Sequence, residues 1–390
     1  MIIYAFLLAN HLGPALFGGY SGHFSFIILF SFVINWGFDT YFLYQSGTYS
    51  QENKINVLNG QIIYVKVLLG SVWILALVLI SQIIPSGFFK TDLILIASLD
   101  TLAESLFLTQ LTALNIKSKA NKLSILLFSS KLVRLIGGLI VILLGITDIN
   151  IFFIVRLFST LFFTFLSIQI ASPIILRFPI KKLINLWRQS WPFGLSETLA
   201  LVYAQVDITL LAILLGDTET GLYTTSSRLI ISLFAIPNAA YLLVIPKLGK
   251  IYKNNDEKFT KYFVKILIGF FIVGLVLFLG ILVSGKWFIS IILGDVYAIS
   301  GNLLQILSVI LLFKSLSYGL ASIIVVIGEQ KNRLIPQFVA SIASIALNIM
   351  IIPIYGLFGA AYVYILSEFL LLIGYIILVL RRFRTGRPIT

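Results

Sequence analysis

Six basic and six acidic side chains stand inside stretches of this chain that are otherwise apolar. The bases are Lys66, Lys131, Arg134, Arg156, Arg228 and Lys314; the acids are Asp39, Asp100, Glu104, Glu197, Asp207 and Glu368. A charge at the centre of a bilayer costs roughly 2.5–3.5 kcal/mol on insertion scales, so twelve facing lipid would cost about 30–40 kcal/mol. A fold of ordinary stability cannot absorb that. These residues must therefore line a shared interior, paired or hydrated, which points to a transport pathway.

Spacing sorts some of them. Asp100 and Glu104 are four apart and share one face of a helix; Lys131 and Arg134 are three apart at similar depth on the next helix. Together they read either as a charge cluster between adjacent helices or as part of the pathway. Lys66 lies near the end of its stretch and can snorkel toward water. Arg156, Arg228 and Lys314 have no partner nearby in sequence, which favours a water-filled cavity that receives an anion. A guanidinium offers bidentate donors that suit a diphosphate. Asp207 can carry a proton or pair with Arg228, and both readings stay open. Asp39, Asp100, Glu104 and Asp207 are the candidates for ion coupling.

The elements that must hold these groups follow from composition. Of 390 residues, 59% are hydrophobic and 11% charged, and the mean hydropathy is +1.05. A soluble domain carries about a quarter charged residues, so a soluble enzyme or a secreted domain is excluded and the bilayer is the solvent. Apolar stretches recur at 18–44, 60–83, 93–114, 123–145, 150–172, 192–215, 222–245, 266–285, 301–327, 335–354 and 358–380. Each is long enough to span about 30 Å of hydrocarbon as a helix. Residues 1–12 are apolar but short, and they lack the basic segment of a signal peptide.

The connectors set the orientation. Alternate loops and the C-terminal tail hold 20 Lys and Arg; the other loops hold only Lys90 and Lys286. The positive-inside rule places the basic set, with both termini, in the cytoplasm. The net charge of +13 is thus explained by topology and anionic lipid headgroups, with no need for nucleic acid. There is no cysteine, and the two histidines, His11 and His23, have no nearby carboxylate in sequence, so neither a metal nor another cofactor is expected. The segment Gly280 to Trp287 nearly matches a Walker A loop but lacks the Ser or Thr that ligates magnesium, and we take it as chance.

A repeat is visible at an offset of 203: Leu8, Ala9, Leu12, Gly13, Gly18 and Tyr20 match Leu211, Ala212, Leu215, Gly216, Gly221 and Tyr223. Each block reads as a helix end, a glycine-bounded turn and the start of the next helix. The predicted fold class is all-α integral membrane, with about twelve transmembrane helices in two six-helix lobes related as a parallel repeat. Because the seventh span begins near Pro192, the first helix appears truncated at its start. The organisation expected is an N-lobe over 1–175, an amphipathic cytoplasmic linker helix over 176–191, a C-lobe over 192–380 and a basic tail over 381–390. In the linker, Ile180, Leu183, Ile184 and Trp187 share a face opposite Lys181, Lys182, Asn185 and Arg188. Gly18 and Gly22 form a close-packing face in the second span.

These blocks resemble a known family. Leu12-Gly13-Pro14, Phe17-Gly18 and Tyr20 look like the signature of the Wzx-type polysaccharide flippases of the multidrug/oligosaccharidyl-lipid/polysaccharide exporter superfamily. Pro192 to Ser196, Val206-Asp207, Gly221-Leu222-Tyr223, Gly328 to Lys331 and Tyr355 to Ala361 are similar to later parts of its pattern. The resemblance implies two lobes around a cavity that opens alternately to each side. It implies a transporter, not an enzyme, that moves undecaprenyl-diphosphate-linked oligosaccharide across the bacterial cytoplasmic (inner) membrane for O-antigen or capsule synthesis. Membrane lipids and a polysaccharide polymerase or chain-length machinery are the implied partners. Arg228, Lys314, Arg156, Lys66, Lys131 and Arg134 would then meet the diphosphate and sugars. Two alternatives stand beside this reading: a cation-coupled multidrug exporter of the same superfamily, and a membrane polysaccharide polymerase or glycosyltransferase. An exporter of cationic drugs wants an acidic interior, whereas this one holds six bases to six acids. A polymerase or glycosyltransferase wants a substantial catalytic loop, and the outer loops here are short.

Overall fold

The computed structural model describes residues 2–46, 52–83, 90–171, 180–254 and 256–385, and among them it is all helix and turn, with no strand. In chain order the helices are α1 (Ile2–Leu29), α2 (Phe32–Asn35), α3 (Phe38–Ser46), α4 (Glu52–Ile83), α5 (Thr91–Ile116), α6 (Ala120–Leu143) and α7 (Ile149–Ala171). They continue as α8 (Ile180–Leu214), α9 (Asp217–Leu233), α10 (Ala235–Asn254), α11 (Asp256–Leu293), α12 (Ala298–Leu307), α13 (Val309–Val326) and α14 (Leu334–Thr385). Residues 176–179 of the expected linker and 386–390 of the expected tail lie outside the described residues.

By length and composition, eight helical runs can cross a membrane, or nine if the bent pair within α8 counts as one span. Some runs hold two crossings. Gln330–Arg382 is 53 residues, which at 1.5 Å per residue is about 80 Å, and the helix breaks inside it at a kink at Gly356. The helix α1 breaks likewise at Gly13. Divided there, with α2 and α3 extending the second run, α9 joined to α10 and α12 joined to α13, the described helices make twelve runs. With that bent pair counted, the helix left out of the most apolar set is α5, which carries Asp100 and Glu104.

The faces of these helices are arranged for lipid. On α6, Ile125, Phe128, Leu132, Ile136 and Ile140 are exposed while Ser130 and Arg134 are buried; on α7, Phe158, Leu161, Phe162 and Phe165 are exposed while Arg156, Ser159, Thr160 and Thr164 are buried. A water-soluble helix turns its polar stripe outward. Here the stripe faces inward, as expected where the surroundings are hydrocarbon. The chain is a multi-pass helical membrane protein.

The chain gathers into two compact units, 19–209 in one and 4–18 with 210–390 in the other. The first has a core of Phe38, Phe42, Ile62, Phe107, Leu111 and their neighbours, and α5 packs mainly on α7. The second has a core of Leu248, Phe270, Leu320, Ile324, Leu372 and their neighbours, with α13 packed on α11 and α14. This division by contact differs from the division by repeat. The opening segment 4–18 joins the second unit, where the Tyr297 hydroxyl donates to the Ala9 carbonyl at 2.7 Å and Phe6 meets Phe288 edge-on. The equivalent segment 192–209 joins the first unit, where Ser25 donates to Gln205 at 2.9 Å and Thr40 to Glu197 at 2.7 Å. The stretch from Ile180 is helical and runs on into the seventh span as one helix. It buries Leu186 against the core, leaves Ile184 and Trp187 exposed, and stacks Trp187 on Trp36 at 5.2 Å.

The repeat is carried in the backbone as well as the letters. Gly13 has φ 71° and ψ 172°, and Gly216 has φ 95° and ψ −168°. Both sit in the left-handed half of conformational space that side chains disfavour, with Pro14 and Asp217 opening the next helix. Five residues on, a methyl group on Gly18 would strike the Asp217 carbonyl and the Gly221 backbone, and one on Gly221 would strike the Pro14 carbonyl and the Gly18 backbone. The two contacts are the same contact taken twice.

Candidate functional site

The largest charged cluster joins α5, α6 and α7 in the first unit. Asp100 and Glu104 project from one face of α5 as their spacing requires. Arg156 on α7 bridges them: its Nε donates to Asp100, and a terminal nitrogen donates to Glu104 at 2.8 Å. From α6, Lys131 reaches Glu104 at 3.1 Å and Arg134 at 3.7 Å. Thr160 ties the group together, accepting from Arg134 at 2.8 Å and donating to Asp100 at 2.6 Å. The Arg156 guanidinium also lies 4.0 Å from the Phe24 ring centroid. Three cations thus face two carboxylates, and Arg134 Nε is buried without a hydrogen-bond partner among the described residues. Donors exceed acceptors. Lys131 is the accessible member, its side chain 38% exposed.

A second group joins α2, α3, α4 and α5. Lys66 is fully buried, and its ammonium donates to Asp39 at 2.8 Å, the Ser105 carbonyl at 3.3 Å and Asn35 at 3.5 Å. Thr109 donates to the other Asp39 oxygen at 2.7 Å, and Ser105 to Asn35 at 2.7 Å. The expectation that Lys66 snorkels to water is corrected here. A fixed carboxylate on α3 holds the ammonium inside, where a charge-assisted bond outweighs the reach to the surface.

In the second unit, Lys314 on α13 donates to Glu368 on α14 at 2.8 Å, with the ring of Phe234 5.3 Å from its ammonium. The sequence reading left Arg156 and Lys314 without partners; the structure gives each an acid on a neighbouring helix. It also relates the two. Glu104 and Arg156 sit on the fourth and sixth spans, Lys314 and Glu368 on the tenth and twelfth, at offsets of 210 and 212. The same inter-helix pair recurs with its charges exchanged. The sequence marks Glu368 as an acid inside an apolar stretch, and this recurrence is the further signal that pairs it with Lys314.

Arg228 stands apart from these pairs. It borders a crevice of about 10 Å³ with Ala5, Phe6, Ala9, Phe17 and Thr225, which is room for about one water. Asp207 is buried, and its carboxylate accepts the Ile208 N–H at 2.8 Å. Of the residues singled out from sequence, the fold therefore brings together Asp100, Glu104, Lys131, Arg134 and Arg156, and separately Asp39 with Lys66 and Lys314 with Glu368. Asn35, Thr109 and Thr160 complete the groups of the first unit, and sequence reasoning had not placed them.

The described residues thus form a multi-pass helical bundle with ion pairs inside, apolar faces outside and a repeat that recurs in its backbone. Residues 7–300 match the family described as Polysaccharide biosynthesis protein, and the chain belongs to that family. It is similar to the capsular polysaccharide biosynthesis protein CapF of Staphylococcus aureus, 28% identical over 190 residues, which is 47% of each chain. The match thus spans about half the length of that curated relative. Among solved structures, the lipid II flippase MurJ in an inward closed conformation aligns with a TM-score of 0.77 at 17% identity, covering 97% of this chain and 84% of that one. A multidrug resistance MATE family transporter of the MOP superfamily, facing inward, aligns at 0.76 and 13% identity, covering 97% and 93%. The chain shares its fold with these two proteins.

Proposed function

We propose that this protein is a flippase that carries undecaprenyl-diphosphate-linked oligosaccharide repeat units across the bacterial cytoplasmic membrane by alternating access, for synthesis of a surface polysaccharide such as capsule or O-antigen. It is a transporter and not an enzyme, with both termini in the cytoplasm, and it hands its product to a polymerase or chain-length machinery. The observation that carries this reading is the excess of cations over acids around Glu104, inside a chain of the polysaccharide biosynthesis family. A diphosphate bears charge on adjacent oxygens that guanidinium and ammonium groups satisfy, and a helical interior strengthens such contacts. Lys131, Arg134 and Arg156 meet the diphosphate in this account, with Lys314 and Arg228 as further contacts. Lys66, sealed against Asp39, positions helices instead. The basic cytoplasmic loops support the orientation. Deleting the gene tests the function: lipid-linked repeat units should accumulate on the cytoplasmic leaflet while the surface glycan disappears. Normal glycan export in that strain, with no second copy of the gene, contradicts it.

A cation-coupled multidrug exporter is the second reading, favoured by the shared fold with the MATE transporter. Resistance of the deletion strain to cationic drugs separates the two: it falls if the protein exports drugs and holds if it carries glycan lipids.

A further inference from the structure

The junction of α10 and α11 carries a feature that the transport pathway does not use. An open crevice of about 270 Å³ lies against it, lined by Ile251 of α10 and by Lys261, Tyr262 and Lys265 of α11. That is close to the lower bound of ligand sites, about 300 Å³. Lys247, also on α10, brings its ammonium to 5.5 Å from the Tyr262 ring centroid. The junction is held by the rings of Tyr252 and Phe259, 4.8 Å apart, with Leu248 and Phe259 buried. Lys261 and Lys265 are exposed, four residues apart on one helix face. Neither has a carboxylate partner among the described residues. The lining therefore offers two ammonium groups, which only donate, and no anion to meet them.

Helix length sets the depth of this crevice. The 20 residues from Ile266 to Gly285 carry no charge and end at Lys286. Within the continuous helix α11 they rise about 30 Å, the thickness of the hydrocarbon. Lys265 thus marks one edge of the apolar layer, and Lys261 lies about 6 Å further out. The same face continues inward. Ile268 and Ile272 follow Lys261 and Lys265 at seven-residue spacing, and both are exposed. A stripe with ammonium groups at its rim and bare aliphatic side chains below it matches an amphiphile with an anionic head.

We propose that this crevice binds the headgroup phosphate of an anionic phospholipid, with an acyl chain lying along Ile268 and Ile272. Under the orientation proposed above, the lipid belongs to the cytoplasmic leaflet. The inference does not depend on which substrate is carried. A soluble phosphate would meet the lysines but has nothing to lay on the aliphatic stripe. Both cations are lysines, compact point charges that suit a singly charged phosphodiester. The forked donors that favour a diphosphate are guanidinium groups. The cluster around Glu104 has those, whereas neither α10 nor α11 contains an arginine. Because Ile251 comes from α10 and the lysines from α11, a bound headgroup bridges the two helices.

The test is native mass spectrometry of the purified, delipidated full chain in non-ionic detergent, titrated with dioleoylphosphatidylglycerol or dioleoylphosphatidylcholine. The native protein should retain one phosphatidylglycerol at concentrations where phosphatidylcholine is lost. The double variant Lys261→Ala, Lys265→Ala should weaken that binding by about 30-fold, since each headgroup-level charge contributes about a factor of five. The double variant Lys54→Ala, Lys122→Ala removes two exposed charges near the ends of α4 and α6 and should bind as the native protein does. Equal retention of the two lipids by the native protein overturns the inference. So does unchanged affinity in the Lys261, Lys265 variant, or an equal loss in the Lys54, Lys122 variant, which would mean general attraction to basic loops. Neither inorganic phosphate nor farnesyl diphosphate, at equal concentration, should displace the phosphatidylglycerol. Displacement by the first makes the crevice a site for free anions, and displacement by the second assigns it to isoprenyl diphosphates; each overturns the phospholipid reading. The comparisons on the native protein decide the matter even should a variant fail to fold.

Discussion

Gly18 lies against Gly221 with no side chain between their backbones, and the two residues occupy the same place in the two copies of the repeat. A reciprocal contact of this kind is what a two-fold relation between two helix starts produces, since each glycine meets the residue four before its counterpart. The close approach expected of the Gly18 face is found at Gly18 itself. Gly18 packs on the start of α9 and Gly221 on the start of the helix that follows Gly13.

Substitution there should be severe. Gly18→Val or Gly221→Val drives methyl groups into backbone that has no room to yield, and overpacking of this kind costs about 1–3 kcal/mol or more. Melting of the purified protein in detergent should show both variants well below the native Tm. A native Tm in both would mean that the helices do not meet there.

Arg156→Ala should also destabilise, because Asp100 would be left buried and without an ion-pair partner among the described residues. Breaking one side of a buried pair costs about 3–5 kcal/mol, whereas replacing both sides with apolar residues is often neutral. The double variant Asp100→Leu, Arg156→Met should therefore regain much of the lost Tm while transport stays absent. Full transport by that double variant would make the pair purely structural.

Lys131→Ala separates function from folding. Its side chain is the most exposed in the cluster, and Glu104 keeps Arg134 and Arg156. Loss of an exposed ion pair costs about 0–1 kcal/mol, so Tm should hardly move. Loss of one charge-assisted contact to diphosphate should weaken binding of a short-chain isoprenyl-diphospho-sugar to the purified protein by about tenfold. Unchanged affinity would remove Lys131 from the substrate site.

Orientation can be read with introduced cysteines, since the chain has none. Asn121 follows the turn between α5 and α6, and Thr147 lies in the turn between α6 and α7; both are exposed. In intact cells an impermeant maleimide should label Thr147→Cys and spare Asn121→Cys. The reverse pattern would invert the topology.

What the sequence could disclose follows from the range of each interaction. Helix lengths and the face shared by Asp100 and Glu104 are local, set by hydropathy and by the 3.6-residue turn, and they are legible. Lys131 and Arg134 were legible as partners of that face because consecutive spans pack as neighbours. Arg156 was not, because α5 packs on α7 across an intervening helix, and nothing in the spacing of either announces it. Lys314 and Glu368 are 54 residues apart, separated by a turn and a whole crossing. Lys66 misled for a different reason. Its depth suggested an escape to water, but a carboxylate on the short helix α3 holds it inside, and that helix exists only because the backbone breaks around Trp36.

The central claim is that this protein moves a diphosphate-linked glycan lipid from one leaflet to the other. Purified protein in liposomes, loaded with a fluorescent isoprenyl-diphospho-oligosaccharide and exposed to an impermeant quencher, measures that movement directly. The account predicts that quenching proceeds past the outer-leaflet fraction to near completion in the presence of the native protein. A plateau at the outer-leaflet fraction, equal to that of protein-free liposomes, would contradict it.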